Sequence, residues 1–359
     1  MRNHFGFFVD RFGLMMYSIR NTMKVATIEK ILEVKPHPNA DALELATIKG
    51  WQVCIKKNEF KPGDLCIYVC VDSIFEDKPA YEFLRNKNFR IKTVRLRGQL
   101  SQGIAFPMSL FKTLGHDVVV FSEPDIEGSD VSQYVYASHY EKPIPSHLAG
   151  NAVGYMPGFL KKTDEDNIKN NPEILDELKG KPYYITVKVD GSSGTYFYKD
   201  GEFGVCSRKL QLQRDENNSF WRIALKYDLE NKLKAYGRNV CIQGEVFGPG
   251  IQDNLLGVSE LSFRAFNLFD IDAGQYLGWK QLTEFCFYNS VPQVELIEIG
   301  ESFDKTLAQL QEFANNLKYE NGNLAEGIVI RPTEDTYSEV LKSRLSGKII
   351  SELFELKHG

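Results

Sequence analysis

The chain has 359 residues, 43% of them hydrophobic and 25% charged, with a formal net charge of −5. That length accommodates two domains of ordinary size, and the composition excludes a disordered tail. A negative net charge confines any nucleic-acid surface to a local patch. In chain order, the first stretch, MRNHFGFFVDRFGLMMYSIRNTM, is broken by Arg2, Asp10, Arg11 and Arg20, which the core of a signal peptide would not tolerate. No apolar run approaches the roughly 20 residues that cross a bilayer. An intracellular protein, cytoplasmic or nuclear, with no membrane partner is expected, and residues 1–22 read as an upstream translation start or a loosely attached extension. Cys54, Cys66, Cys70, Cys206, Cys241 and Cys286 lie in apolar runs without a C-x-x-C pair, which favours reduced core thiols over disulfides or zinc.

From Met23, KVATIEKILEVKPHPNADALELATIKGWQVCIKK alternates short Val/Ile-rich runs with turn residues at Pro36, Pro38, Asn39, Asp41 and Gly50. Strands this short and evenly spaced predict a small barrel. KPGDLCIYVCVDS adds a turn and a buried strand, and VRLRGQLSQGIAFP two strands about a Gly-rich bend. The phrases EVKPHPNADALELATI, KPGD and LRGQLSQGIA, in that order, resemble the OB-fold barrels used as tRNA-binding modules, which assigns residues 23–121 to an OB-fold domain. Six basic residues and no acidic one lie between Arg85 and Arg97: Arg85, Lys87, Arg90, Lys92, Arg95 and Arg97, with Phe89 among them. Such a run is either a solvated charged face or, on an OB barrel, a surface that tracks RNA.

Residues 122–150, polar and irregular with Pro143 and Pro145, read as a linker. Residues 151–359 mix strands with two helical patterns. One follows Asn218, with Trp221, Leu225, Leu229 and Leu233 at helical spacing; the other follows Ser302, with Leu307, Leu310, Phe313 and Leu317. With the β-rich segments NVCIQGEVFG, SFRAFNLFDID and EGIVIRP, they predict an α+β domain of antiparallel sheets with flanking helices.

Within YYITVKVDGSSG, Lys188 sits in a strand-like run and is followed at once by Asp190 and Gly191. Taken alone it is a surface lysine before a hairpin turn. Partial burial and nearby cations would instead lower its pKa and leave a free amine as a nucleophile, with the glycine admitting a phosphate close to the backbone. A lysine that attacks the α-phosphorus of a nucleotide needs carboxylates for a metal or a ribose, cations for the triphosphate and an aromatic platform for the base. These occur downstream as Glu245 in IQGEVFGPGIQDN, the aromatic FRAFNLFDID, Glu326 in EGIVIRP, and Lys342 and Lys348 in EVLKSRLSGK. Singly, the glutamates read as strand-end carboxylates, and Phe263, Phe266 and Phe269 as core.

Lys188-x-Asp190-Gly191, Ser207-Arg208, Gly244-Glu245, Phe266 to Asp270, Glu326-Gly327 and the terminal lysines resemble, in order, the motifs of the covalent nucleotidyltransferases. With MPGFLKKTDEDNIKN, GEVFGPGIQDN and an N-terminal OB-like domain, the chain resembles the ATP-dependent RNA ligases of the Naegleria type from about Met23 to Gly359. The resemblance implies that Lys188 takes AMP from ATP, passes it to an RNA 5′-phosphate, and lets a 3′-hydroxyl displace it. It implies Glu245 at the ribose and metal side, and Glu326 at a divalent metal, Mg²⁺ or Mn²⁺. It places Val187, Asp190, Gly191 and Lys348 at the nucleotide, Arg208 at its ribose or phosphate, Phe220 or Phe266 on adenine, and Lys342 at the α-phosphate. The partner is RNA with 5′-phosphate and 3′-hydroxyl ends, and a monomer is expected. Two positions depart from the pattern. Val340 stands where a lysine precedes Lys342, leaving Lys348 or Arg344 as the second charge. In Thr163-Asp164-Glu165-Asp166-Asn167-Ile168-Lys169 an arginine is missing, leaving Lys161, Lys162 or Lys169 to compensate. A DNA ligase or mRNA capping enzyme shares the chemistry but carries its OB domain after the transferase domain, and only Ile349 to Gly359 follow Lys348. A non-catalytic RNA-binding protein would be expected to lack Lys188, Glu245 or Glu326.

Overall fold

The structure, a computed structural model, describes residues 24–116, 126–140 and 152–358, so the 1–22 extension lies outside it. The first run of β-forming residues serves two sheets. Ala26–Lys30 pairs antiparallel with Leu65–Val69, which pairs on its other side with Ile104–Pro107. Beyond Ile31, Glu33–Pro36 pairs instead with Leu43–Ile48, and that strand with Trp51–Lys56 through a tight turn at Lys49 and Gly50. The inward positions alternate as a pleated strand requires: Trp51, Val53 and Ile55 are buried. With Ile28, Ile48, Ile67 and Val69 they fill one core, each branched aliphatic contributing about 1.5–3 kcal/mol of transfer free energy.

Residues 126–140, read from sequence as the middle of a linker, are part of this barrel. Val131 and Val135 are fully buried in its core, Ala137–His139 pairs with Ser73–Phe75, and the Ser132 hydroxyl accepts the N–H groups of Val25 and Ala26. Val131, Val135 and Ala137, spaced through a polar segment, carry too little periodicity to reveal that docking. Residues 122–125 and 141–150 of the expected linker lie outside the described residues.

The second domain is two facing sheets. Seven antiparallel strands run in the order Ala152–Tyr155, Leu210–Leu212, Glu202–Cys206, Ser192–Lys199, Val240–Phe247, Ser262–Asp270 and Gln275–Tyr276. Five more run Asp166–Asn167, Gly347–Ile350, Gly327–Pro332, Tyr183–Lys188 and Leu296–Gly300, antiparallel except for the first pair. The predicted α+β architecture is therefore the observed one.

The helix predicted after Asn218 divides. Asn218 caps Ser219–Lys226 by accepting the N–H groups of Phe220 and Trp221, but Asp228 adopts φ +47° and a second helix, Leu229–Ala235, starts anew. Leu225 is consequently exposed. The later helix, Leu307–Asn316, begins after Thr306, where a Thr306–Gln309 capping box fixes its first turn, because Phe303 is taken into the core beside Tyr183.

The two domains meet at a buried polar seam. Trp51 Nε1 donates to Asn170 Oδ1 at 3.0 Å and Gly50 N–H to the Lys169 carbonyl at 3.2 Å. The Lys169 ammonium, itself buried, pairs with Glu352 at 2.8 Å and donates to Gln102, while Gln102 and Thr93 donate to Glu355. The barrel thus holds the C-terminal helix Glu352–His358, which follows directly from the Gly347–Ile350 strand.

Candidate active site

Lys188 is the last residue of Tyr183–Lys188 and lies opposite Gly327, so Glu326 enters the neighbouring strand right beside it. Lys188 Nζ meets Glu326 Oε2 at 2.7 Å, both side chains largely shielded from water. From the facing sheet comes Glu245, half-buried on Val240–Phe247. Gly191 lets the segment that leads from Lys188 into the Ser192–Lys199 strand lie close against the strand of Glu245. A Cβ at that position would stand 2.5 Å from the Val246 carbonyl oxygen and 2.9 Å from Glu245 Cγ. The glycine expected to admit a phosphate is occupied, on its Cβ side, by the strand that carries Glu245.

Burial works against the Lys188 ammonium, but the Glu326 and Glu245 carboxylates outweigh it and hold the pKa well above the ordinary lysine range. The expected depression is thus reversed, because the groups nearest the amine are anions. The depressed lysine is Lys348, lowered first by burial and then by Lys188 itself. Burial pushes Glu245 up to about 8; Lys188 and Arg208 pull it down, but Glu326 and Asp190 add to the rise. A site with this surplus of buried carboxylate fits a hard divalent cation. Among the described residues no group of three or more Asp, Glu, His or Cys side chains is placed to hold one alone. Substrate phosphate oxygens and water would complete its coordination, as is usual for Mg²⁺.

The rest of the site is braced from several motifs. Lys348 lies opposite Val329, which lies opposite Thr186, so Lys348 and Lys188 rise from one face of the sheet two residues apart. Arg331, 3% exposed, pairs with Glu165 at 2.5 Å and donates to the Ser346 hydroxyl and the Phe266 carbonyl. It ties the segment before the lysine strand to the aromatic strand and to the terminal lysine strand.

An OB-fold domain profile matches residues 25–108, and the RNA ligase family profile matches residues 181–350. The structure superposes on that of Naegleria gruberi RNA ligase with pyrophosphate at a TM-score of 0.82 and 33% identity, over 94% of this chain and 99% of that one. A lysine-to-alanine variant of the same ligase with ATP and manganese gives 0.82 and 32%, over 93% and 99%. A glutamate-to-alanine variant with AMP and manganese gives 0.82 and 33%, over 94% and 99%. The chain belongs to the RNA ligase family. No curated protein matches it by sequence at a significant level.

The ligase brings Lys188, Glu326, Glu245, Asp190, Arg208 and Lys348 to one cluster. Arg208 pairs with Asp164 at 2.5 Å on the rim and is half exposed. Val187 contributes only a wall: its side chain is buried with Val189 and Phe247, and its N–H is donated to Glu295. Of the two aromatic choices, Phe266 is half-buried against that same cluster, with the Arg331 guanidinium 6.0 Å from its ring. Phe220, 3% exposed, is packed with Trp221, Ile223 and Leu233 in the helix-side core of the seven-stranded sheet.

Lys342 is not brought to the cluster. It occupies the tip between Tyr337–Ser338 and Ser343–Arg344 with φ +52°, exposed and paired with Glu339 at 2.9 Å. Of the two residues weighed for the second charge, Lys348 rises beside Lys188, whereas Arg344 is bound to Asp335 and Asn267. Lys169, one of three lysines weighed for the missing arginine, is held in the domain seam. Arg331 and Tyr319, whose hydroxyl contacts the Lys188 carbonyl and the Glu326 N–H, stand at the cluster and carry no signal in the sequence. A lone arginine in EGIVIRP reads as a strand-end charge, and Tyr319 lies in a polar turn with no pattern around it.

The basic run spreads over a 3₁₀ helix, Pro79–Lys87, and a hairpin, Val94–Leu96 with Gln99–Ser101. Arg85 is bound by Asp77 and Glu82, and Arg90 by Asp72. Lys87, Lys92, Arg95 and Arg97 are exposed.

Proposed function

We propose that this ligase joins RNA 5′-phosphate and 3′-hydroxyl ends as a monomer inside the cell, with ATP as its nucleotide and Lys188 as the carrier of AMP. The observation that carries the reading is the contact of Lys188 Nζ with Glu326 Oε2, with Glu245 facing both. The amine attacks the α-phosphorus; a P–N bond forms as the P–O bond to pyrophosphate breaks. The attacking amine must first lose a proton to water, a loss that the Glu326 carboxylate in hydrogen-bond contact with the ammonium opposes. A divalent cation held by Glu245 and Glu326 would neutralise the triphosphate and compete with Lys188 for Glu326, easing that loss. Lys348, kept short of its ordinary basicity and rising beside Lys188, is placed to meet the charge that builds on the α-phosphate. Phe266 offers the adenine a ring face at the wall formed by Val187. An RNA 5′-phosphate then takes the AMP, and a 3′-hydroxyl displaces it. The six thiols are free, which suits a reducing compartment.

The test is a sealing assay on 5′-phosphorylated RNA with Mg²⁺ or Mn²⁺. ATP should give adenylylated RNA and then a joined product, whereas GTP or a 5′-hydroxyl RNA should give neither. Joining with GTP, or of DNA in preference to RNA, would contradict the proposal.

A further inference from the structure

We infer that the hydroxyl of Tyr319 is a positioning group for lysine adenylylation, clasping the two strands that carry the reacting pair. The inference rests on the assignment of Lys188 as AMP acceptor and deepens it. Tyr319 lies in the turn between the Leu307–Asn316 helix and the Gly327–Pro332 strand, its ring buried with Val187, Val189, Phe247 and Ala325. Its single O–H donates to the Lys188 carbonyl at 3.1 Å. Its oxygen accepts the backbone N–H of Asp190 at 3.0 Å and of Glu326 at 3.2 Å. One donor and two acceptor positions are the full capacity of a phenol, and all three are used.

Each bond falls where the sheet ladder stops supplying partners. Lys188 ends its strand and Glu326 precedes the next one, so the backbone of both motifs would otherwise fray where the Nζ–Oε2 contact is made. The hydroxyl touches no reacting atom. It fixes the main chain on both sides of Lys188 and at Glu326 from one point. A displacement of about 1 Å between reacting groups is enough to cost roughly a hundredfold in rate.

The experiment is single-turnover formation of lysyl-AMP across a range of ATP concentrations in Tyr319→Phe, which keeps the buried ring and deletes the clasp. The rate at saturating ATP should fall at least about tenfold. The half-saturating ATP concentration should stay within about threefold, because the nucleotide's own contacts are intact. The thermal midpoint should move by only a few degrees. A saturated rate equal to the unsubstituted protein would overturn the inference, as would equal losses of rate and ATP affinity accompanying a collapse in thermal stability. Should Tyr319→Phe fold poorly, 3-fluorotyrosine at position 319 preserves shape while weakening the oxygen as acceptor, and an unchanged saturated rate there would overturn it equally. Absence of lysyl-AMP in the unsubstituted protein would instead overturn the ligase assignment, and this inference with it.

Discussion

At the scale of single residues, charge placement decides which of two similar lysines matters. Lys348 rises beside Lys188 from the same sheet face, whereas Lys342 points into solvent at a hairpin tip. Lys348→Ala should therefore slow lysyl-AMP formation by about 10²–10³-fold, the usual effect of deleting a donor aimed at developing charge. Lys342→Ala should change it by less than about twofold, its ion pair with Glu339 being an exposed one. Rapid-quench rates for the two variants check the order. Glu245 supplies a second prediction. In the fold it keeps its proton to about pH 8, against an ordinary value of 4.5, so the native state holds a proton that the unfolded chain has released. Stability must then fall as pH rises through that window. Glu245→Gln removes the liability: its thermal midpoint relative to the unsubstituted protein should rise by several degrees between pH 5 and pH 8, while adenylylation is largely lost. A constant difference across that range would show that burial does not hold the proton on Glu245.

Among the elements, the close approach of the segment after Lys188 to the Glu245 strand is the feature on which the site depends. Gly191 keeps the 2.5 Å shell around the Val246 carbonyl clear, and a methyl there must push the Glu245 strand away from Lys188. Gly191→Ala is expected to cost about 1–3 kcal/mol of stability from overpacking and to reduce adenylylation more than tenfold; chemical denaturation and the labelling rate measure the two effects separately. The motif residues were legible because strand chemistry is local. A lysine, a glycine and two glutamates each sit within a few residues of a strand end, and their order along the chain carries the signal. What was not legible required knowing which strands face each other. The rise in the Lys188 pKa depends on a glutamate 138 residues away. The break at Asp228 came from a left-handed backbone that the leucine spacing did not reveal. Phe220 and Phe266 are both aromatic and both fall in apolar runs, and only the packing separates a core ring from one at the cleft.

Across the whole molecule, the barrel is more than an appended module, because its Trp51, Gln102 and Thr93 grip the segment before the lysine strand and the helix after Lys348. Sequence reading assigned the barrel from its turn phrases, but the seam escaped it, since Lys169 and Glu355 look like ordinary surface charges. The basic run between Arg85 and Arg97 separates into paired and exposed charges. Arg85 and Arg90 are bound to acidic neighbours, whereas Lys87, Arg95 and Arg97 are exposed, and on the proposed function these three would meet RNA phosphates. Replacing those three with alanine should lower the slope of log affinity against log salt for single-stranded RNA by about 2. Lysyl-AMP formation should be untouched. Filter binding between low and high salt is the check, and an unchanged slope would place the RNA elsewhere.

The central claim is that Lys188 carries the nucleotide, and mapping of the covalent adduct tests it most directly. Full-length protein incubated with ATP labelled at the α-phosphate and Mg²⁺ or Mn²⁺ should gain one AMP through an acid-labile, alkali-stable bond. Peptide mass mapping should find it on the fragment containing Lys188, and Lys188→Ala should take up none. Undiminished labelling of Lys188→Ala, or an AMP mapped to Lys348, would contradict the account.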